Sequence, residues 1–363
     1  MTQGWAYHNP VRIHAGRGKF DQLGAQLAPG LWLLVTTAGA TRRGLTARLQ
    51  QQLGDDHALL VCDSITPNPT VDELDSLTAA HAGKSIVGIV SVGGGSALDA
   101  AKVLSVTLLA CQDTPLARCF RDGAAQSWSA RLPVVAVPTT SGTGSEVTPF
   151  ATVWDDVRKK KYSVAGDLLF PVLAVLDPGL TLTLPARETL YTALDATSHA
   201  LESLWNRNRT PISEAFAWQA LQLVVEHLPV VLDAPDNLDA REGMQRASLL
   251  AGLAISQTRT ALAHSISYPL TSRYQVPHGL ACSFTLRAIL EQYLTGHLRD
   301  SERALLVRVH QMLGDLDLPH ELQQYLGAED VLALAGEMHT PERAGNLAIH
   351  VDVEQILRQS VSQ

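Results

Sequence analysis

Ser85-Ile86-Val87-Gly88-Ile89-Val90-Ser91-Val92-Gly93-Gly94-Gly95-Ser96-Ala97-Leu98-Asp99-Ala100-Ala101-Lys102 is the stretch that decides the fold class. A β-branched apolar run passes through three glycines into a helix-forming segment, which reads as a buried parallel strand, a tight turn and a covering helix. The glycines let backbone N–H groups come close to a pyrophosphate, and the helix N-terminus adds partial positive charge. Ser96 with Asp99 resembles a capping arrangement, so a helix is expected to start there. The turn is not a GxGxxG fingerprint, and glycine in a tight turn also has conformational reasons of its own.

Similar apolar runs flank this one: Leu31-Trp32-Leu33-Leu34-Val35-Thr36, Ala58-Leu59-Leu60-Val61-Cys62 and Pro133-Val134-Val135-Ala136-Val137-Pro138. Apolar strands separated by helical patterns predict a parallel sheet covered on both faces. The last run leads into Thr139-Thr140-Ser141-Gly142-Thr143-Gly144-Ser145-Glu146, whose hydroxyls and glycines fall at the carboxyl end of a strand, where α/β sheets bind ligands. From Leu184-Pro185 onward strand patterns stop and amphipathic helices follow, for example over 213–228 and 240–256. The expected organisation is an α/β dinucleotide-binding domain over 1–183 and an all-helical domain over 184–363.

The helical half carries a second signal. Asp195 and His199 are spaced to project from one face of a helix, one turn apart. His264 lies in a helix expected to end at Pro269, and His278 opens the next one after Pro277. One carboxylate and three imidazoles suit Fe(II) or Zn(II) better than Mg(II) or Ca(II), which prefer oxygen donors. With 13 histidines in the chain, each alone is read first as a buried polar residue satisfied within the core; the joint pattern below a nucleotide loop raises the metal reading.

A chain of 363 residues with 46% hydrophobic and 18% charged residues has the composition of an ordinary soluble globular protein and is long enough for two domains. The net charge of −8 leaves no footprint for nucleic acid, and the basic run Arg158-Lys159-Lys160-Lys161 reads as a solvated hairpin. Cys62, Cys111, Cys119 and Cys282 show neither CxxC pairing nor zinc-ribbon spacing, so reduced, structural thiols are expected. Met1-Thr2-Gln3-Gly4-Trp5 lacks a leader pattern, and no stretch approaches the roughly 20 apolar residues of a membrane span, so a cytoplasmic enzyme without membrane partners is expected.

Taken in order, Pro67-Asn68-Pro69-Thr70-Val71, Gly93-Gly94-Gly95-Ser96 with Asp99, Pro138 to Glu146, Asp195-Ala196 with His199-Ala200 and Glu202, and His264 with Pro277-His278-Gly279 resemble the iron-containing (group III) alcohol dehydrogenase family over nearly the whole chain. The resemblance implies a nucleotide-binding α/β domain, a helical metal domain, a catalytic cleft between them, and NAD(P)H with Fe(II) or Zn(II) as cofactors. It implies Asp195, His199, His264 and His278 as metal ligands, and Asn68, Gly94, Gly95, Ser96, Asp99, Thr139, Thr140, Thr143, Thr148 and Lys161 along the dinucleotide. Family members are commonly homodimers or larger. The metal would act as a Lewis acid on a carbonyl that receives the nicotinamide hydride.

Two departures stand out. Where the family usually carries a further histidine after the third ligand, this chain has Tyr268, which either relays a proton or shapes the pocket. Where members restricted to NAD often have an acidic residue, Thr37 stands, with Arg42-Arg43 just beyond, so NADPH is expected to be accepted.

The opening Trp5-Ala6-Tyr7-His8-Asn9-Pro10, the segment His264 to Thr271, and Glu342-Arg343-Ala344-Gly345-Asn346 look like the phosphonate-metabolism branch, typified by phosphonoacetaldehyde reductases. A phosphonate dianion calls for a guanidinium fork. Arg259, Arg273 and Arg343 are the candidates, Arg343 foremost because Gly345-Asn346 suggests a turn beside the substrate. The expected reaction interconverts phosphonoacetaldehyde and 2-hydroxyethylphosphonate. The alternatives are another acidic or sugar-derived aldehyde, or a lyase of the dehydroquinate-synthase type; a non-catalytic nucleotide-binding protein would leave the metal pattern unexplained.

Overall fold

The computed structural model describes residues 4–110 and 112–362, so Cys111 and Met1-Thr2-Gln3 lie outside the described residues. Two compact units divide the chain. The first holds Asn9–Thr140 and Ser145–Thr183; the second holds the chain from Leu184 on, together with Ser141–Gly144 and the segment ending at His8. A single cut after residue 183 therefore leaves out two short segments. Backbone packing accounts for one of them: a Cβ on Gly142 would lie 2.5 Å from the carbonyl oxygen of Thr192, and one on Gly144, at φ +60°, 2.4 Å from Cα of Gly252. These two glycines of the loop after β5 are packing residues against helices.

The α/β unit contains β1 (Arg12–Ala15), β2 (Gly30–Thr36), β3 (His57–Cys62), β4 (Ile86–Gly93), β5 (Val134–Pro138) and β8 (Leu173–Leu176), all paired in parallel in the order β1-β8-β5-β4-β2-β3. A separate antiparallel hairpin joins β6 (Phe150–Asp155) to β7 (Lys160–Ala165), with exposed Arg158 and Lys159 at its tip. Helices α1 (Ala38–Arg42), α2 (Leu45–Gln50), α3 (Val71–His81), α4 (Gly95–Thr107) and α5 (Pro115–Phe120) fill the connections. The central strands alternate: Leu33, Val35, Ile89 and Val134 enter one apolar core with Val71, Leu74, Ala100 and Val103, whereas Trp32, Leu34, Val90, Val92, Val135 and Val137 enter another with Leu45 and Leu49. Burial on both faces is why these strands read as unbroken apolar runs. Short β1 is largely exposed and carries no such run, whereas β8 is a buried apolar run of only four residues; neither was among the strands expected from the sequence.

The start of α4 differs from the expected capping arrangement. Gly94 is the N-cap and supplies no side chain; Ser96 Oγ instead accepts from Asn68 N at 3.2 Å. Asp99 Oδ1 accepts from Ser145 Oγ at 2.5 Å and Oδ2 from Thr152 N at 2.7 Å. Both side chains bind across the unit, which a local pattern cannot reveal.

The second unit is helical: α6 (Ala186–Leu204), α7 (Pro211–Asp233), α8 (Leu238–Thr258), α9 (Leu262–Tyr274) and α10 (His278–Ala281), then further helices up to Val353–Ser362. A capping box between Thr210 and Ser213, with Pro211 in the first turn, starts α7. By length and composition α7 is apolar enough to cross a membrane, contrary to the sequence expectation. It packs along α6 and α8, burying Ala217, Leu221, Val224 and Leu228, as a core helix does. Helix α9 does not stop at Pro269 but runs on to Tyr274, where Gln275 takes the left-handed conformation. Pro269 forgoes one helical hydrogen bond, and burial of Ile266 and Leu270 in the core offsets that loss.

Candidate active site

Helix α6 is amphipathic in an unusual sense: Asp195, Thr197, Ser198, His199, Glu202 and Ser203 are polar and buried. Buried polar groups require partners, and most of these find them. Thr197 Oγ1 donates to Ala193 O at 2.8 Å, Ser198 Oγ to Cys282 O at 3.0 Å, and Ser203 Oγ to His199 O at 2.9 Å. Ser283 Oγ donates to Leu194 O at 3.0 Å, tying the chain after α10 to α6. Gly279 is indispensable to that approach, since a Cβ there would lie 1.8 Å from Tyr191 O. His278 is thus delivered by the contact of one helix backbone on another.

The four expected ligands come together. Asp195 Oδ1 is 3.3 Å from His199 Nε2, 3.4 Å from His264 Nε2 and 3.8 Å from His278 Nε2. The rings of His199 and His264 stack at 4.9 Å, and His278 stands edge-on to His264 at 5.2 Å. Donors on a four-coordinate ion with bonds near 2.1 Å sit roughly 3.4 Å apart, close to these spacings from Asp195, and the donor atoms of Asp195, His264, His278 and Cys282 lie within 4.8 Å of one another.

Two residues that the sequence reading did not place in the site belong to it. Glu202, fully buried, accepts from Ala263 N at 2.7 Å through Oε1 and meets His264 Nδ1 at 2.6 Å through Oε2. This fixes the His264 tautomer and leaves Nε2, buried and without a hydrogen-bond partner among the described residues, facing Asp195. Cys282 Sγ lies 3.6 Å from Asp195 Oδ1. Both were visible as spacing: Glu202 continues the Asp195-His199 face of α6, and Cys282 follows His278 by one turn.

The electrostatics agree with a ligand set. Burial alone would raise Asp195, but His199, His264 and His278 together hold it well below the usual carboxylate range. Burial pulls His199 down to about 4 against the opposing effect of Asp195. His264, although buried, is raised by Glu202 and Asp195. A dication would supply the positive charge that those two carboxylates attract.

On the same face of α9, one turn beyond His264, is half-buried Tyr268, raised by burial and hydrogen-bonded to Arg343. Arg343 Nη1 also donates to Thr260 Oγ1 at 3.2 Å. Its short helix Pro341–Ala344 is held on α9 by Ser265 Oγ, which donates to Met338 O at 2.7 Å and accepts from Thr340 N at 2.7 Å. The other two arginines lie elsewhere. Arg273 pairs with Glu337, while exposed Arg259 sits at φ +61°, its carbonyl accepting from Asn206 Nδ2 at 3.1 Å.

Within the α/β unit, Thr37, Asn68, Gly94-Gly95-Ser96 and Thr139-Thr140 all follow the carboxyl ends of β2, β3, β4 and β5. Thr37 caps α1 by accepting from Ala40 N at 3.2 Å, and a Cβ on Gly94 would press on Thr140 at 3.2 Å. Asp99, by contrast, is engaged inside the fold by Ser145, Thr152 and the fully buried Lys102. Thr148 Oγ1 likewise faces Lys102 Nζ at 3.2 Å. Lys161 lies over the Trp154 ring at 5.5 Å, and Thr143 packs with the helical unit.

Known families account for both units. Residues 10–178 match the iron-containing alcohol dehydrogenase description, and residues 189–360 its C-terminal counterpart, the Fe-containing alcohol dehydrogenase family, C-terminal. The chain belongs to the iron-containing alcohol dehydrogenase family. It is therefore an oxidoreductase of that family, with the parallel-sheet and helical domains the family fold implies. A 1-propanol dehydrogenase of Citrobacter freundii is 32% identical over 77% of this chain and 71% of its own length. Phosphonoacetaldehyde reductase of Streptomyces viridochromogenes is 40% identical over 55% of this chain and 52% of its own. The crystal structure of sulfoacetaldehyde reductase from Bifidobacterium kashiwanohense in complex with NAD+ superposes with TM-score 0.86 at 27% identity, covering 99% of each chain.

Proposed function

We propose that this iron-containing alcohol dehydrogenase reduces phosphonoacetaldehyde to 2-hydroxyethylphosphonate in the cytoplasm, using NAD(P)H and an Fe(II) or Zn(II) ion held by Asp195, His199, His264 and His278. The observation that carries the substrate assignment is the guanidinium of Arg343, joined to Tyr268 on the face of α9 that also presents His264. A fixed cationic fork beside a carbonyl-activating centre suits an aldehyde bearing a tetrahedral oxyanion. The similarity to a phosphonoacetaldehyde reductase supports the same choice.

When bound, the ion supplies Lewis acidity at the carbonyl oxygen and the nicotinamide supplies the hydride. Glu202 keeps the proton on His264 Nδ1, so Nε2 presents its lone pair. Arg343 orients the substrate through its anionic end. The Tyr268 hydroxyl, held by Arg343, donates the proton that completes the alcohol. Asn68, Gly94, Gly95, Ser96, Thr139 and Thr140 bind the dinucleotide, with Thr143 and Lys161 contributing. Asp99 and Thr148 support that loop from within, both through Lys102. With Thr37 in place of an acid and Arg42 and Arg43 near Gly39, a 2′-phosphate is accepted. The protein acts on a small molecule as a homodimer or larger homo-oligomer.

A panel of small aldehydes assayed with NADH and NADPH after metal loading tests the proposal. Phosphonoacetaldehyde should have the highest kcat/KM, and Arg343→Ala should raise its KM far more than that of uncharged aldehydes. Equal turnover of propanal and phosphonoacetaldehyde would refute the substrate assignment, and a preference for sulfoacetaldehyde would redirect it to the sulfonate.

A further inference from the structure

Helix α8 leads into α9 through a turn in which Arg259 takes φ +61° and ψ 177°, a region that essentially glycine alone occupies without strain. Strain of this kind persists only where surrounding contacts impose it. Here the Arg259 carbonyl accepts from Asn206 Nδ2 at 3.1 Å and from Thr258 Oγ1 at 3.0 Å, and the next carbonyl, that of Thr260, accepts from Asn346 Nδ2 at 2.8 Å. Asn206 and Thr258 are fully buried. Asn346 follows Arg343 by three residues, so one side chain ties the strained turn to the segment that carries the guanidinium.

What the turn delivers is the Thr260 side chain. Thr260 is buried and its Oγ1 accepts from Arg343 Nη1 at 3.2 Å, while among the described residues nothing accepts its own proton. A hydroxyl both accepts and donates, so one donor is unspent. Arg343 has spare capacity too: a guanidinium carries several N–H donors, and among the described residues no carboxylate pairs with it, whereas Arg273 is paired to Glu337. Adjacent unspent donors, one of them cationic, suit a tetrahedral oxyanion that offers an oxygen to each.

We infer that Thr260 is a second anchor for the anionic end of the substrate, its hydroxyl donating a hydrogen bond to one phosphonate oxygen while Arg343 binds another, and that it thereby determines specificity. The inference rests on the reading of Arg343 as the phosphonate-binding arginine.

Calorimetric titration of the metal-loaded, full-length protein with ethylphosphonate, which has no carbonyl to reduce, tests it. Thr260→Val, close in shape but without the hydroxyl, should weaken ethylphosphonate binding by about tenfold or more, as for a hydrogen bond to a charged group. It should also raise KM for phosphonoacetaldehyde far more than for propanal, and Thr260→Ser should restore both values. In an Arg343→Ala background Thr260→Val should weaken ethylphosphonate further; no further loss means that Thr260 only orients Arg343 and overturns the inference. Wild-type affinity in Thr260→Val, or in Thr260→Ala should the valine variant not fold, overturns it as well. Arg259→Gly should keep ethylphosphonate affinity, because the turn uses the Arg259 backbone; a loss there transfers the anchor to the Arg259 guanidinium and also overturns the inference. Unchanged affinity in Arg343→Ala defeats the reading of Arg343 itself.

Discussion

His264 Nδ1 and Glu202 Oε2 are 2.6 Å apart, both buried, and the second oxygen of Glu202 holds the backbone N–H groups of Ala263 and His264. One carboxylate therefore sets the rotamer of His264, its tautomer and the first turn of its helix. Partners of this kind commonly tune metal affinity by about 10- to 100-fold. Glu202→Gln should weaken binding of Zn(II) or Fe(II) by that order in chelator competition. An unchanged affinity would show that His264 needs no such support.

Removing the metal should abolish turnover and lower the melting temperature of the protein. Restoring an ion to a hundredfold excess over its Kd should return about 2.7 kcal/mol of stability. Asp195→Ala, which removes the oxygen common to all three imidazole contacts, should erase the metal-dependent shift in a thermal melt. A metal-free sample with full activity would contradict the ligand assignment.

Tyr268→Phe separates proton donation from pocket shape, because it keeps the ring against α9. If the hydroxyl donates the proton, kcat should fall by roughly 10²-fold or more and lose part of its pH dependence. Turnover equal to wild type across pH would leave Tyr268 as a packing residue.

Cofactor choice can be read at the turn after β2. Thr37→Asp should place a negative charge beside the expected 2′-phosphate and lower kcat/KM for NADPH relative to NADH, by about ten- to a hundredfold for one lost charge-assisted hydrogen bond. The double variant Arg42→Ser, Arg43→Ser should act in the same direction. Strong NADH preference in wild type would exclude both effects.

Glu146 provides a pH-dependent stability signature in the α/β unit. Burial pushes it up to about 7 against the opposing effects of its own backbone and of Lys102, whereas the unfolded chain loses that proton near the ordinary 4.5. The native state thus binds more protons between these values. Its stability is full below the unfolded value and is lost as pH rises through the folded one. Glu146→Gln should flatten that slope and gain up to roughly 3 kcal/mol above pH 7, measured by denaturant melts at several pH values. An unaltered pH profile would mean that Lys102 neutralises the carboxylate in the native state.

Legibility followed the range of the forces involved. Strands β2, β4 and β5 were readable because burial on both faces leaves consecutive apolar residues, and Asp195 with His199 because a helix repeats its face each turn. Pro269 misled the reading because local preference favours a helix end, whereas the packing of Ile266 and Leu270 decides in favour of continuation. Asp99 and Ser96 looked like local caps, but their partners Thr152, Ser145 and Asn68 are distant in sequence.

By itself, the chain determines the strands β2 to β5, the helical half and the side chains proposed to hold the metal, since periodicity and donor chemistry are local properties. Tertiary structure alone decided three further matters. The Gly142 and Gly144 backbones lie against Thr192 and Gly252. Glu202 and Cys282 join the cluster around Asp195. Arg343, rather than Arg273, meets Tyr268, because Glu337 already pairs with Arg273. Each is settled by which surfaces meet when helices pack, and that competition among distant partners leaves no periodic trace in the sequence.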